Sequence, residues 1–174
     1  HTDTNCQDII ASRPAPVQVE GMAYSLPVGG GYIDYHLSHR YLSDEFAQQF
    51  DETLVHLPDT DFPPFCPEIS GSAHTRSHHK LPETGFVFAN FNQSFKFDPE
   101  MFSVWMHILD RVPDSVLWLG WWQHQVRLNL WREAEERGVD PDRIIFGNIT
   151  DTHEEHMARL HHAGLMLDNQ FHGG

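Results

Sequence analysis

Short apolar runs alternate with longer helical patterns through the second half of this 174-residue sequence. The spacing of apolar residues changes from continuous runs to a helical period and back repeatedly. Because neighbouring parallel strands need a crossover between them, usually a helix, this alternation predicts an α/β fold with a doubly wound parallel sheet. The four predicted strands cover residues 86–91, 116–119, 143–146 and 165–167.

Residues that favour helix starts mark two of the intervening helices. Asp98 followed by Pro99 predicts a helix that begins at Pro99, since aspartate caps free backbone N–H groups and proline suits the first helical position. The next helical pattern covers about residues 123–137. Thr152 with Glu155 three residues later forms a capping box, which predicts the start of a third helix.

Composition divides the chain into three regions. Residues 1–57 contain short apolar runs around a glycine cluster at 29–31 and predict an irregular α/β region. Residues 58–82 are rich in proline, serine, histidine and acidic side chains, which predicts a long connecting loop with little packing of its own. Residues 83–174 carry the regular alternation of strands and helices.

The predicted strand at 86–91 runs into a polar turn that contains Asn92, Gln93 and Lys96. The carboxyl ends of strands in open parallel sheets are where ligands bind, so these side chains are placed to meet a polar, anionic substrate. A lysine after a strand is otherwise most often a solvated loop charge. The turn is therefore a candidate ligand site, with a solvated loop lysine as the alternative.

The formal net charge of −14, from 11 basic and 25 acidic side chains, argues against a general binder of nucleic acid backbones. Cys6 and Cys66 are the only cysteines, too few for a disulfide framework and compatible with a reducing cytosol. No apolar run approaches the ~20 residues needed to cross a membrane. We therefore expect a cytoplasmic protein whose partners include neither nucleic acid nor membrane.

The third predicted helix carries a second polar cluster. His153, His156 and Arg159 recur every three residues and so share one helix face near its amino end. Free backbone N–H groups and the helix dipole at that end favour an anion or the edge of a nucleotide. A single histidine at such a place is more often a surface or capping residue.

The 14 histidines invite a metal interpretation. His74, His78 and His79 lie close together with Cys66 nearby, but their spacing matches no zinc motif. We therefore predict no metal site.

The tryptophans divide into two groups by position. Trp105 lies on an apolar helical stripe and Trp118 inside a strand, which predicts packing in the core rather than sugar binding. Trp121 and Trp122 follow a predicted strand and are the two that can face a ligand.

Motifs spread over nearly the whole chain carry a family resemblance. In order they are RPAPVQ at 13–18, IDY at 33–35, LVHLP at 54–58, FNQSFK at 91–96, VPDSVLWL at 112–119, RIIF at 143–146, EH at 155–156 and LD at 167–168. Several motifs at matching spacing are more specific than any one alone. The sequence resembles the catalytic region of O-linked N-acetylglucosaminyltransferases and their bacterial and SPINDLY-like relatives.

The resemblance implies a GT-B fold, in which two Rossmann-like halves face a cleft, with this chain holding the end of the first half and the first part of the second. It implies transfer of a sugar from a nucleotide diphosphate donor, UDP-N-acetylglucosamine, to serine or threonine hydroxyls of proteins. The implied partners are the nucleotide sugar and an acceptor protein or peptide. No cofactor beyond the donor and no obligatory metal are implied.

The resemblance also implies residue roles. A leaving nucleotide diphosphate gains negative charge as the glycosidic bond breaks, and a fixed cation stabilises that transition state. Lys96 matches the position of this cation and is the predicted catalytic residue, which also binds the donor. Gln93 matches a position that contacts the donor, and Asn92 lies beside it in the same turn.

Three more residues are predicted to bind the donor by this resemblance. His156 matches a residue that contacts the nucleotide base, and Arg159 matches one that lies by the donor. His153 stands where animal members have a lysine, and a mostly neutral imidazole implies a weaker electrostatic contribution there.

Two departures from the family pattern leave alternatives open. Residues 21–29 differ from the glycine- and threonine-containing motif usual at that point, and residues 172–174 stand where the family continues into a threonine-rich turn for the diphosphate. We therefore expect the 174 residues alone to be inactive. The alternatives are a GT-B-derived protein-interaction domain without activity and an O-fucosyltransferase that uses GDP-fucose.

Overall fold

The computed structural model describes residues 7–21, 26–42, 44–58 and 74–170. These residues belong to two compact units, one within His1–Cys66 and the other within Pro67–Gly174. Within these described ranges, each unit contains a parallel sheet of its own. The predicted division at 58–82 falls partly on residues 59–73, which lie outside the described residues, and its boundaries stay a prediction.

In chain order, the helices and strands in the described part of the first unit are α1 (Gln7–Ala11), β1 (Val19–Glu20), β2 (Tyr35–His39), α2 (Asp44–Ala47) and β3 (Thr53–Leu57). The strands form a parallel sheet with the order β1-β2-β3. The buried residues of β2 are the polar His36 and Ser38.

Two carboxylates organise the loops of this unit. Asp34 accepts a hydrogen bond from the backbone N–H of Gln18 at 2.9 Å and pairs with the guanidinium of Arg13 at 2.9 Å. The Gln18 N–H and then Arg13 hold the pKa of Asp34 below its usual value. Glu52 accepts hydrogen bonds from the successive N–H groups of Val28 and Gly29 at 3.0 and 2.9 Å, which fixes the start of the glycine cluster.

In chain order, the strands in the described part of the second unit are β4 (Phe86–Asn90), β5 (Ser115–Leu119), β6 (Ile144–Phe146) and β7 (Leu165–Met166), and its α-helices are α3 (Pro99–Arg111), α4 (His124–Glu136) and α5 (His153–Arg159). The strands form a fully parallel sheet with the order β6-β5-β4-β7. This arrangement confirms the prediction that the four apolar runs of residues 83–174 lie in one parallel sheet.

The predicted helix starts are confirmed by their caps. The carboxylate of Asp98 accepts the N–H of Met101 at 2.8 Å at the start of α3. The hydroxyl of Thr152 accepts the N–H of Glu155 at 3.2 Å at the start of α5. The Glu155 carboxylate in turn accepts the N–H of Asp151 at 3.1 Å, one residue before the position that a reciprocal capping box uses.

Core residues cover both faces of the second sheet, as a parallel sheet requires. All five residues of β5 are buried. Alternate residues of β4 and β5 divide between the layers, with Phe88 and Leu117 packed among α3 and α4 and with Val87 and Trp118 packed on the other face. None of the helices in the described part of the chain is long and apolar enough to cross a membrane.

The expectation of little packing is wrong for residues 74–82, the described part of the predicted loop. This segment contains a 3-10 helix, Ser77–His79, and buries His79 and Leu81. Leu81 joins the core layer of Val87, and the guanidinium of Arg76 ties the segment down by donating to the carbonyls of Pro82 and Gly85 at 3.2 and 3.1 Å. Because only His79 and Leu81 of this polar segment are buried, its sequence has no periodic apolar pattern from which the packing could be predicted.

Candidate functional site

A cleft of about 180 Å³ opens where β4, β5 and β6 end at the carboxyl edge of the second sheet. It is lined by the residues that directly follow these three strands, together with one side chain from α5. This is the edge at which open parallel sheets bind their ligands. The lining residues are Phe91, Asn92, Gln93, Gly120, Trp121, Trp122, Asn148, Ile149, Thr150 and Arg159.

The last residue of β4 holds the edge of the cleft in place. Asn90 is fully buried, and its side-chain amide donates to the carbonyl of Leu167 at 2.7 Å and to Oδ1 of Asn169 at 3.2 Å. Its own Oδ1 accepts the backbone N–H of Asn92 at 2.9 Å. Asn90 therefore fixes the turn after β4 and the segment after β7 to each other.

The predicted catalytic lysine lies beside the cleft. A 3-10 helix, Ser94–Lys96, follows the turn, and Nζ of the half-buried Lys96 lies 3.5 Å from Oδ1 of Asn92. Asn92 and Gln93 line the cleft, whereas Lys96 contacts the lining residue Asn92 and is not itself part of the lining. The geometry brings the three predicted side chains together at one point of the sheet edge.

Arg159 places a buried positive charge at the floor of the cleft. Its side chain is 6% exposed, and burial lowers its pKa from the ordinary value. Nη1 donates to the carbonyl of Asn148 at 2.7 Å, and Cζ lies 4.4 Å from the centroid of the Phe91 ring, within cation–π distance. Among the described residues, no aspartate or glutamate forms an ion pair with Arg159, and its Nε has no hydrogen-bond partner.

His156 is hydrogen-bonded to this arginine. Nη2 of Arg159 lies 2.6 Å from Nδ1 of His156. Because a guanidinium can only donate, this nitrogen of the imidazole must accept, which requires a neutral His156 with its proton on Nε2. Burial, and then the charges of Arg159 and His153, lower the pKa of His156, consistent with that neutral form.

His153 lies apart from the cleft. It is exposed, and its ring centroid lies 6.4 Å from that of His156. The expected common face near the amino end of the helix is only partly correct, because α5 has seven residues and Arg159 is the last of them. Arg159 therefore contributes through its own charge and not through the amino end of the helix.

Sequence reasoning missed the residues after β6 and the buried Asn90. Asn148 and Thr150 are polar residues directly after a predicted strand, so the argument that selected Asn92 and Gln93 would also have found them. Asn90 is the one polar residue in the predicted strand 86–91, and this interruption of an apolar run was the available signal for a buried, hydrogen-bonded side chain. Trp121 and Trp122 both line the cleft, as their positions after β5 suggested.

Four histidines cluster on the sheet face opposite α3 and α4. The rings of His74 and His78 stack with their centroids 4.0 Å apart, and those of His79 and His162 lie 5.5 Å apart. His79 packs on Trp118, and burial followed by the charges of neighbouring histidines and of Arg159 lowers its pKa to about 4. Among the described residues, no group of three histidine, cysteine or acidic side chains is arranged to hold a metal ion.

Comparison with known proteins places this geometry in context. The sequence profile of glycosyl transferase family 41 matches residues 69–174. The chain is 37% identical over 92% of its length to the probable UDP-N-acetylglucosamine–peptide N-acetylglucosaminyltransferase SEC of Arabidopsis thaliana. It is 40% identical over 54% of its length to a UDP-N-acetylglucosamine–peptide N-acetylglucosaminyltransferase of Caenorhabditis elegans.

A solved structure extends the comparison to the fold. A point mutant of the Thermobaculum terrenum O-GlcNAc transferase matches 95% of this chain with a TM-score of 0.79 and 26% sequence identity. With the parallel sheets described above, this match confirms the predicted α/β fold class of the GT-B type. The chain spans 17% of the Arabidopsis relative, 8% of the Caenorhabditis relative and 31% of the bacterial structure.

Proposed function

The chain belongs to glycosyl transferase family 41, and from this membership we propose that it is part of an enzyme that transfers N-acetylglucosamine from UDP-N-acetylglucosamine to serine or threonine hydroxyls of proteins. The printed names of the Arabidopsis and Caenorhabditis relatives specify this donor and a peptide acceptor. The proposed partners are therefore the nucleotide sugar and an acceptor protein or peptide.

The observation that carries the proposal is the buried charge of Arg159. Burying a guanidinium costs free energy unless a counter-charge or a full set of hydrogen bonds compensates it. Arg159 has two hydrogen-bonding neighbours, Asn148 and His156, and no carboxylate partner among the described residues. An anionic ligand in the cleft would supply the missing counter-charge, and a nucleotide diphosphate is such a ligand.

Lys96 supplies the second positive charge in the proposed mechanism. As the bond between the sugar and the diphosphate breaks, negative charge grows on the leaving oxygen, and a cation held nearby stabilises the transition state more than the ground state. The contact between Lys96 and Asn92 favours an ammonium directed toward the cleft. We assign Lys96 to the leaving group, and Asn92, Gln93, His156 and Arg159 to donor binding. For His153, which lies apart from the cleft, a donor-binding role is proposed from the family resemblance alone.

The proposed reaction uses the donor and the acceptor without a cofactor or an obligatory metal. Support comes from Lys96 and Arg159, which provide at this edge the positive charge that a metal ion supplies in other enzymes of phosphorylated substrates. A cytoplasmic location is proposed from the two cysteines, Cys6 and Cys66.

The test is turnover by the intact protein with a pool of serine- and threonine-containing peptides. UDP-N-acetylglucosamine and GDP-fucose are supplied separately, and released UDP or GDP is measured. Peptide-dependent UDP release is the expected result. If GDP is released from GDP-fucose and no UDP from UDP-N-acetylglucosamine, the donor is GDP-fucose. Nucleotide binding without any transfer would favour the interaction-domain alternative.

A further inference from the structure

Trp121 presents a large apolar surface to solvent inside the cleft. Its side chain is 51% exposed although it follows the fully buried strand β5 and lines the same cleft as Arg159. Its neighbour Trp122 is only 6% exposed. Scattered exposed apolar residues need no explanation, but an indole at the edge of a polar cleft leaves a flat face available to a ligand.

The backbone on both sides of Trp121 is fixed. The N–H of Gly120 donates to the carbonyl of Asn90 at 3.2 Å, which continues the pairing of β4 with β5 by one more residue. Trp122 packs against Phe97 and Phe146 with ring centroids 5.3 and 5.8 Å apart. The backbone of Trp121 therefore needs no reordering when a ligand binds, which favours affinity.

The other lining groups match a flat heterocycle with polar edges. Gln93, Asn148 and Thr150 supply side-chain donors and acceptors around the opening. The guanidinium of Arg159 lies over the ring of Phe91, with Cζ 4.4 Å from the ring centroid, and both groups line the cleft. A nucleobase offers a π-face for stacking and hydrogen-bonding groups along its edge, and the attached diphosphate offers the anion that Arg159 lacks.

We propose that Trp121 is the stacking surface for the nucleobase of the donor. The inference rests on the proposed function, since it assumes that a nucleotide sugar occupies this cleft. In this role Trp121 contributes to the affinity for the donor and takes no part in the chemical step. A stacked base interacts almost equally in the ground and transition states, so loss of the indole affects KM and leaves kcat nearly unchanged.

The experiment measures the dissociation constants of UDP, GDP and ribose 5-phosphate by calorimetry on the intact protein. Trp121→Ala is expected to weaken the better-bound nucleotide by roughly 5- to 100-fold, the range for loss of one stacked base. Trp121→Phe retains a ring and is expected to lose less than half of that effect on a logarithmic scale. Ribose 5-phosphate carries no base, so its affinity is expected to be unchanged in both variants.

A matched control and a spectroscopic readout accompany the titrations. Leu128→Ala removes an exposed apolar side chain of α4 outside the cleft and should leave all three affinities unchanged. Tryptophan emission should fall on addition of nucleotide in the wild type, and this change should be much smaller in Trp121→Phe, in which the 6% exposed Trp122 is the tryptophan that remains in the lining of the cleft.

The outcomes separate the inference from the proposed function. Unchanged nucleotide affinity in Trp121→Ala, with nucleotide binding intact in the wild type, overturns the stacking role alone. An equal loss for nucleotide and ribose 5-phosphate also overturns it, since the residue then acts on the whole site. Failure of the wild type to bind either nucleotide overturns both.

Discussion

Nη2 of Arg159 donates to Nδ1 of His156 across 2.6 Å, so the two side chains form one hydrogen-bonded pair with a neutral imidazole. A second proton on this imidazole would place two positive charges at hydrogen-bond distance and remove the acceptor. The arginine thus sets the tautomer of the histidine, and the histidine helps to hold the arginine at the floor of the cleft.

This pair predicts how donor binding depends on pH. The pKa of His156 is lowered, so the neutral form that pairs with Arg159 persists at neutral pH. We expect the KM for the donor to be flat above the ordinary histidine pKa of about 6.5 and to rise as the pH falls through the lowered value. His156→Gln keeps an acceptor for Arg159 and cannot titrate, so the difference between its pH profile and that of the wild type isolates this proton. Identical acid limbs in the two profiles would show that another group controls binding.

The charge of Arg159 is expected to serve ligand binding more than folding. Arg159→Met keeps much of the bulk and removes an uncompensated buried charge, which offsets the lost bonds to Asn148 and His156. We therefore expect the free energy of unfolding to change by less than about 1 kcal/mol, while donor affinity falls on the order of 100-fold. Calorimetry with UDP and urea unfolding measure the two effects.

Arg143→Met is the matched control at the other edge of the same sheet. Its half-buried guanidinium donates to the carbonyls of Leu109, Val112 and Ser115 at 2.8 to 3.0 Å. Loss of these bonds should destabilise the protein by about 2–3 kcal/mol without changing donor affinity in the folded fraction. If both variants lose stability and binding alike, the assignment of Arg159 to ligand binding fails.

Lys96→Ala is expected to lower kcat in the intact protein by roughly 10²–10³, in line with loss of one preorganised electrostatic group at the leaving oxygen. Donor affinity should change less. Steady-state kinetics with a fixed acceptor peptide provide the measurement, with Arg132→Ala, an exposed cation of α4, as the control. An unchanged kcat for Lys96→Ala would remove this residue from the mechanism.

Asn90→Ala is expected to destabilise the protein by about 2–4 kcal/mol, because it leaves the Leu167 carbonyl and the Asn92 N–H without their partner at a fully buried position. Urea unfolding is the measurement. Asn129→Ala removes an exposed side chain that bonds only to Gln125 on the same helix and should cost less than about 0.5 kcal/mol. Equal costs for the two variants would contradict the structural role of Asn90.

His79 predicts loss of stability in acid. Its pKa is about 4 in the folded protein and about 6.5 when unfolded. The unfolded chain therefore binds the proton first, so stability is complete above pH 6.5 and falls as the pH is lowered toward 4. We expect a loss of about 1–2 kcal/mol, reduced by solvent screening because His74 and His78 are exposed. In urea titrations from pH 7.5 to 4.5, His79→Leu should have a shallower dependence than the wild type, and equal slopes would contradict this.

The order of strands and helices in the second unit was predictable because each element carries a local pattern. An apolar run favours a strand through its own residues. The helix caps are equally local, since Asp98 lies next to Pro99 and Thr152 lies three residues before Glu155. Predicted strand 86–91 ends one residue earlier, at Asn90, because Phe91 turns to pack under Arg159. Boundaries depend on such tertiary contacts, which a local pattern does not contain.

The candidate site was predictable only in part for the same reason. Asn92, Gln93 and Lys96 follow one strand, so the rule for strand ends selected them. Whether Arg159 lies at the floor of the cleft depends on how α5 crosses the sheet after β6, and the buried bonds of Asn90 connect residues far apart in the chain. His74, His78, His79 and His162 cluster for a similar reason, since His162 comes from a distant segment.

The bonds of Asn90 also bear on the order in which this unit is assembled. Asn90 and Leu167 are 77 positions apart in the chain, and Asn90 and Asn169 are 79 apart. The bond from the Asn92 N–H to Asn90 can form as soon as the turn after β4 is synthesised. Asn90 completes its other two bonds only when the segment after β7 has left the ribosome and docked. We therefore expect the segment after β7 to acquire protection from hydrogen exchange later than α3 and the paired strands β4 and β5, whose mutual contacts form closer in the chain.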